Sequence, residues 1–200
     1  RQFGSVRDTF AEASDVLGYD VWQLICDGPQ EALNLTATTQ PVLLASSVAL
    51  WRAWFEAGGP RPAVLAGHSL GEFSALVCAG VLQFADALPL VRARGEAMQS
   101  AVPVGEGSMA AIIGVEDKLI NEICESVAAA EGGVVAAVNF NSPGQVVIAG
   151  HTGAVDAAIG QLKEAGAKRA MPLPVSAPFH TSLMQPAGEQ LAEAMAGIEL

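Results

Sequence analysis

The spacing of apolar residues divides the chain into two stretches of different character. In "VRDTFAEASDVLG" the apolar positions Phe10, Ala13 and Leu17 recur at helical spacing and stop at Gly18, which predicts an amphipathic helix with a glycine end. "TTQPVLLASSVALWRAWFEAGG" is apolar on most sides and predicts a long, largely buried helix, with Thr39 near its start, Pro41 in its first turn and Gly58-Gly59 closing it. In the segment after it, "AVLAG" reads as a short buried strand and "SLGEFSALVCAG" as a helix. "FADALPLVRARGEAMQSAV" predicts a further helix in which Pro89 lies in the first turn or kinks it.

Beyond Pro103 the period changes. "GSMAAIIGV", "VVAAVNF", "QVVIAG" and "AKRAMPLPV" read as extended segments, "EDKLINEICESVAAAEGG" and "TGAVDAAIGQLKEAG" as helices, "NSPG" as a turn, and Thr152 as an N-cap. The order is β-α-β-β-α-β, a split βαβ arrangement. Residues 103–175 are therefore expected to form a ferredoxin-like small subdomain, inserted into a larger α/β domain made of residues 1–102 and 176–200. The borders of an inserted module would flank a cleft.

Composition narrows the functional classes. In 200 residues, 51% are hydrophobic and 16% charged, enough to build a compact core rather than a disordered chain. The net charge of −11 gives no electrostatic support to binding nucleic acid or an anionic membrane, so an anionic substrate must meet a local cation. The longest nearly uncharged apolar stretch, Pro41 to Trp51, is interrupted by Ser46 and Ser47 and closed by Arg52, too short to span a bilayer. Cys26, Cys78 and Cys124 are too widely spaced for a clustered metal site or a disulfide framework, which predicts reduced thiols, a cytoplasmic protein and no bound metal. The opening "RQFGSVRDTFAEAS" has neither a starting methionine nor the pattern of a signal peptide, and reads as the start of a piece of a longer protein.

The candidate chemistry centres on Ser69. "SLGE" is an S-x-x-E capping box, which by itself would only satisfy amides at a helix start. A capping box does not require Gly67 and Gly71 on either side of the serine, nor an apolar strand before it. G-x-S-x-G between a strand and a helix is the nucleophile elbow of hydrolase-like α/β domains, built on a mainly parallel sheet. The backbone N–H of Leu70 is then placed to stabilise an oxyanion. A serine needs a base, and the histidines are His68, His151 and His180. His68 belongs to the elbow itself and fits a packing or hydrogen-bonding role, and His151 reads as a solvated turn residue. His180, in "SAPFHTSLM", can be structural or catalytic, and its place at the module border favours the base. Asp86, Asp117 and Asp156 lie between Ser69 and His180, but none is marked out as a triad acid: the first two fit helix starts and the third a helix interior.

"AGHSLGEFSALVCAG", "VRARGEAMQSAVP", "MAAIIGV", "VNFNSPGQVVIAG" and "AKRAMPLPVSAPFH" together resemble malonyl-CoA:acyl-carrier-protein transacylases of bacterial type II fatty-acid synthesis, in family order from about Phe10 to the end of the chain. The resemblance implies that Ser69 is acylated, that His180 is the base, and that the histidine is oriented by a backbone carbonyl rather than a triad acid. It implies that Arg94, in "RGEAMQ", binds the substrate carboxylate; the residues alone leave Arg92 and Arg94 equally apt, each also suited to an exposed helix charge. The implied substrates are malonyl-CoA, a coenzyme A thioester, and the phosphopantetheine thiol of acyl carrier protein. No further cofactor is implied, and the protein would act as a monomer. The glutamine-bearing loop that helps form the family's oxyanion hole would precede this chain, and the carbonyl partner of the histidine would follow it. A serine esterase or lipase would use the same elbow without needing Arg94, and an acyltransferase domain of polyketide synthesis would share most of these motifs. A non-catalytic docking role would need a basic patch for an acidic carrier protein, for which Lys163, Lys168 and Arg169 are the candidates.

Overall fold

A computed structural model describes residues 3–175 and 177–198. These residues form two compact units, one holding the chain up to Glu96 together with the segment from Gln190 onward, the other Ala97–Glu189.

In the first unit, helix α1 (Gly4–Leu17) buries Phe10, Ala13 and Leu17, the three positions its spacing predicts, together with Thr9. Its first two amides, at Gly4 and Ser5, donate to the two carboxylate oxygens of Glu56 at 3.0 and 2.8 Å, which satisfies donors that a helix start leaves open. Two short helices follow, α2 (Val21–Asp27) and α3 (Gln30–Leu33). Asp20 caps the former by accepting from the Gln23 amide, a start signal that is present in the sequence but marks a helix too short to show periodicity. The long helix α4 (Thr36–Glu56) carries Pro41 at its sixth position, beyond the expected first turn. Helix α5 (Leu70–Ala79) and helix α6 (Phe84–Ser100) as far as Glu96 complete the unit's helical frame, and Pro89 likewise lies past the first turn. Leu44, Leu88, Val91 and Phe10 belong to one apolar cluster, against which Leu191, Met195 and Ile198 also pack. Arg52 ties α4 to α1 by donating to Glu12 at 2.7 Å and to Thr9 at 3.1 Å, and its guanidinium lies 5.1 Å from the centre of the Phe84 ring.

Residues 63–67 depart from expectation. Val64 and Leu65 are 80% and 36% exposed, and the run has no ladder partner among the described residues. A strand exists only through pairing with a neighbour. All strands of the described residues belong instead to the second unit, so the buried strand expected from "AVLAG" is an exposed apolar connection.

The second unit contains β1 (Gly107–Ile113), α7 (Asp117–Glu131), β2 (Val135–Ser142), β3 (Gln145–His151), α8 (Thr152–Glu164) and β4 (Arg169–Pro172) in that order. The strands lie in the order β2-β3-β1-β4 with every adjacent pair antiparallel, the sheet of a split βαβ fold. Alternation places Ala110, Ile112, Val146 and Ile148 in one cluster with Ile120, Val127 and Leu162 of the two helices. Met109, Val147 and Ala149 form a second cluster, with Leu173 and Phe179 packed against it. The contact with Phe179, and the cluster of Ala97, Met98 and Ala187, are why this unit extends on both sides of residues 103–175. A 3-10 turn (Ser182–Met184) and helix α9 (Gln185–Met195) end the described chain. Thr152 is the first residue of α8 rather than its cap; His151 holds the cap position and the Thr152 hydroxyl donates to the carbonyl of Gly105 at 2.9 Å.

Burial ranks the three thiols. Cys26 is exposed, Cys78 is half-buried with its thiol pushed up by burial, and Cys124 lies within the sheet–helix core with its thiol raised to about 11 by burial and by the nearby Glu125 charge. Since the thiolate is the reactive form, a disulfide reagent at pH 8 should modify Cys26 first and Cys124 only on unfolding. Ile148→Ala, which removes a fully buried side chain at the centre of that core, should cost about 2–5 kcal/mol in denaturant unfolding.

Candidate active site

Ser69 stands immediately before α5, with φ 53° and ψ −114°, a conformation that non-glycine residues rarely adopt. Its side chain makes no capping hydrogen bond, so the capping-box reading of "SLGE" does not describe the structure. The turn is closed instead by the backbone: the Gly71 amide donates to the His68 carbonyl at 2.9 Å and the Glu72 amide to the Ser69 carbonyl at 3.2 Å. Leu70, as the first residue of α5, has an N–H with no intrahelical acceptor. Gly67 is sterically obligatory, because a Cβ there would lie 1.8 Å from the backbone carbonyl carbon of Gly71. At Gly71 a Cβ would meet nothing within 4 Å, so of the two glycines around the serine only the first is required by packing among the described residues.

The Ser69 hydroxyl accepts a hydrogen bond from Arg94 Nη2 at 3.1 Å. Arg94 also donates from Nη1 to Gln40 Oε1 at 2.6 Å, and its guanidinium carbon lies 5.6 Å from the centre of the Phe73 ring. Three helices thus converge on one guanidinium: α4 through Gln40, α5 through Phe73 and α6 through Arg94 itself. The close approach of α6 to the start of α4 depends on Gly95, where a Cβ would fall 2.5 Å from the Thr36 carbonyl oxygen. Burial pushes the Arg94 guanidinium below its usual arginine value, and the charge of Glu72 opposes that shift. Arg92 takes a different position: it is exposed and pairs with Glu96 at 3.2 Å, one turn along the same helix. Geometry therefore separates two arginines that sequence reasoning left equivalent.

His180 lies in the second unit, exposed, with φ 66°. Ser69 and His180 are the two non-glycine residues with positive φ among the described residues. The turn around His180 is tied by Phe179 N–H to the Ala177 carbonyl at 3.0 Å and by the Thr181 hydroxyl to the Pro178 carbonyl at 2.8 Å. Ser176, which opens "SAPFH", lies outside the described residues. His151 is not the solvated turn residue expected: it is half-buried, and its Nδ1 accepts from the Val134 amide at 2.9 Å, pinning the start of β2 to the end of β3. Asp86 and Asp117 sit in the first turns of α6 and α7, and Asp156 sits within α8, as their sequence settings suggest. Gln40 was missed by sequence reasoning. The only signal available was a glutamine at the edge of the apolar run that begins at Pro41; the structure shows it 6% exposed, where a polar side chain must find a partner.

Ser69 thus has the strained, positive-φ backbone at a helix start that a nucleophile elbow uses, although no strand precedes it among the described residues. Residues 5–200 match the acyl transferase domain family, and the chain belongs to that family. It is 61% identical over 193 residues to the malonyl CoA-acyl carrier protein transacylase of Salmonella typhimurium, covering 96% of this chain and 62% of the relative. Among solved structures it is similar to an acyl carrier protein S-malonyltransferase from Vibrio cholerae, with a TM-score of 0.95 at 60% identity, covering 99% of this chain and 64% of that one. It is also similar, with a TM-score of 0.95 at 58% identity over 98% of this chain and 63% of the other, to a malonyl-transacylase solved in complex with a type II PKS acyl-carrier protein. The chain thus spans a little under two thirds of the length of the proteins it matches. Its fold class is α/β, a hydrolase-like large domain with a small antiparallel sheet. No helix of the described residues is long and apolar enough to cross a membrane.

The two glycines of the elbow should respond differently to the same substitution. Gly67→Ala forces a methyl into the Gly71 backbone and should abolish labelling of Ser69 by a serine-directed phosphonate while lowering the unfolding midpoint, since overpacking typically costs about 1–3 kcal/mol. Gly71→Ala, with open space at its Cβ, should retain labelling and stability in the same two measurements.

Proposed function

We propose that the intact protein transfers a malonyl group from malonyl-CoA to the phosphopantetheine thiol of acyl carrier protein through a seryl-malonyl intermediate, in the cytoplasm. The observation that carries this reading is the hydrogen bond from Arg94 Nη2 to Ser69 Oγ, which puts a half-buried cation within reach of any acyl group carried on that oxygen. A planar guanidinium holds a carboxylate through two parallel hydrogen bonds, more strongly in a partly dry site than in water. A malonyl group has such a carboxylate and an acetyl group does not. A simple esterase has no use for a cation at this point.

The steps follow from the chemistry of each group. His180 removes the Ser69 hydroxyl proton as the oxygen attacks the thioester carbonyl, the C–O bond forms, and negative charge develops on the carbonyl oxygen, where the Leu70 N–H donates. Collapse breaks the C–S bond, and the proton held by His180 passes to the departing coenzyme A sulfur. The carrier-protein thiol then gives its proton to His180 and attacks the seryl ester; the C–S bond forms, the C–O bond breaks, and Ser69 recovers its proton. The cycle is ping-pong and balanced without any redox or metal step. The carrier-protein partner is supported by the relative solved in complex with such a protein. Lys163, Lys168 and Arg169, all exposed, are three cations of the small subdomain that could meet an acidic carrier.

With the full-length protein, Ser69→Ala should accumulate no malonyl-enzyme by intact mass after incubation with malonyl-CoA, and a persisting adduct would refute the assignment. Arg94→Ala should collapse the preference for malonyl-CoA over acetyl-CoA by about 10²-fold in kcat/KM, the scale of losing a charge-assisted hydrogen-bonded pair. Charge reversal of Lys168 and Arg169 should raise KM for the carrier protein and leave KM for malonyl-CoA in place.

A further inference from the structure

We infer that Gln40 is a positioning residue for carboxylate recognition, fixing the roll of the Arg94 guanidinium about its own axis. The inference rests on the reading of Arg94 given above. A guanidinium on a flexible stem can point its fork in many directions, and orientation decides whether it can grip a carboxylate with both nitrogens. Here the stem is constrained on three sides. Phe73 lies against the guanidinium at 5.6 Å, Ser69 accepts from Nη2 at 3.1 Å, and Gln40 accepts from Nη1 at 2.6 Å. Ser69 is the group proposed to be consumed as a nucleophile, so its contact with Arg94 must change during turnover. The Gln40 contact is independent of that chemistry and persists through it. Each terminal nitrogen carries two hydrogens. With one Nη1 hydrogen on Gln40, the other remains available, side by side with Nη2, for a carboxylate.

Gln40 is built for this. It is 6% exposed and sits one turn into α4, whose start touches the backbone of α6 at Gly95, the residue next to Arg94. Its position relative to Arg94 is therefore set by helix backbones in contact, not by loose side chains. Its neutrality matters as well as its acceptor. A carboxylate at the same place would pair with Arg94 and cancel the charge that an incoming acyl carboxylate needs, whereas an amide oxygen orients the guanidinium and leaves its charge unspent.

The test is a double-mutant cycle in the full-length protein, with kcat and KM for malonyl-CoA and acetyl-CoA measured for wild type, Gln40→Leu, Gln40→Glu, Arg94→Ala and Gln40→Leu/Arg94→Ala. Gln40→Leu should lower the malonyl-to-acetyl ratio of kcat/KM about tenfold, chiefly through KM for malonyl-CoA, the scale expected for leaving a buried charged donor unpaired. The ratio in the double variant should equal that of Arg94→Ala, because with the guanidinium gone there is nothing to orient. Gln40→Glu, which keeps the size and the acceptor, should also lose malonyl preference, through charge cancellation. An equal loss for both substrates in Gln40→Leu, or additive losses in the double variant, would reduce Gln40 to a packing residue and overturn the inference. Wild-type selectivity in Gln40→Glu would overturn it too, and this isosteric variant decides the matter if Gln40→Leu does not fold. If Arg94→Ala itself keeps the malonyl preference, the functional reading of Arg94 fails; if Arg94→Ala loses it while both Gln40 variants keep it, only the role of Gln40 fails.

Discussion

The backbone of Ser69 is held where a side-chain-bearing residue does not willingly go, and the rest of the site follows from that constraint. At φ 53° the serine is lifted out of the helical path just as α5 begins, so its hydroxyl cannot fold back to cap the helix. The strain is tolerated because the amides of Gly71 and Glu72 find acceptors within the turn and because Gly67 has no Cβ to strike the Gly71 carbonyl. The capping box in the sequence and the strained turn in the structure are alternative uses of the same four residues, and the structure adopts the second.

Once the hydroxyl faces outward, its surroundings are decided by helix packing. Arg94 reaches it from α6 and Gln40 holds Arg94 from α4, so the site is assembled from residues far apart in sequence. A buried guanidinium is costly unless its donors are used. Here the donors go to a neutral amide and a neutral hydroxyl rather than to a carboxylate, so the positive charge is retained in a partly dry setting where burial already disfavours it. In a chain of net charge −11, this is a cation whose hydrogen bonds to Gln40 and Ser69 leave it unneutralised by a carboxylate, the feature on which the functional proposal for Arg94 rests.

His180 belongs to the other unit and to another turn with positive φ, tied by Thr181 and Pro178. Its unit is built on different rules. The antiparallel sheet alternates along β1 and β3, with Ile112 and Ile148 facing two helices and Met109, Val147 and Ala149 gathered in a second cluster that takes in Phe179, the residue next to the histidine. Packing of Phe179 on the sheet ties the His180 turn to the module that precedes it in sequence, and this is why that unit extends beyond the segment its strand order marks out.

Residue order and period alone determined the helices α1, α4, α5 and α6, the βαββαβ order, and the serine flanked by glycines, because each is a local pattern with a local cause: spacing of apolar groups, glycine stops and turn residues. They also carried the family resemblance, now matched over residues 5–200. What they could not carry is any statement that needs a partner from elsewhere in the chain. "AVLAG" has a strand's composition, yet a strand is a relation between two segments, and Val64 stands exposed without one among the described residues. Arg92 and Arg94 are alike in sequence and differ only in which way the helix turns them, one toward solvent and Glu96, the other toward Ser69. Gln40 is one of several polar residues in α4, undistinguished until the fold brings a guanidinium within 2.6 Å of it. Local propensity writes the elements; the pairing of distant side chains exists only after those elements have packed.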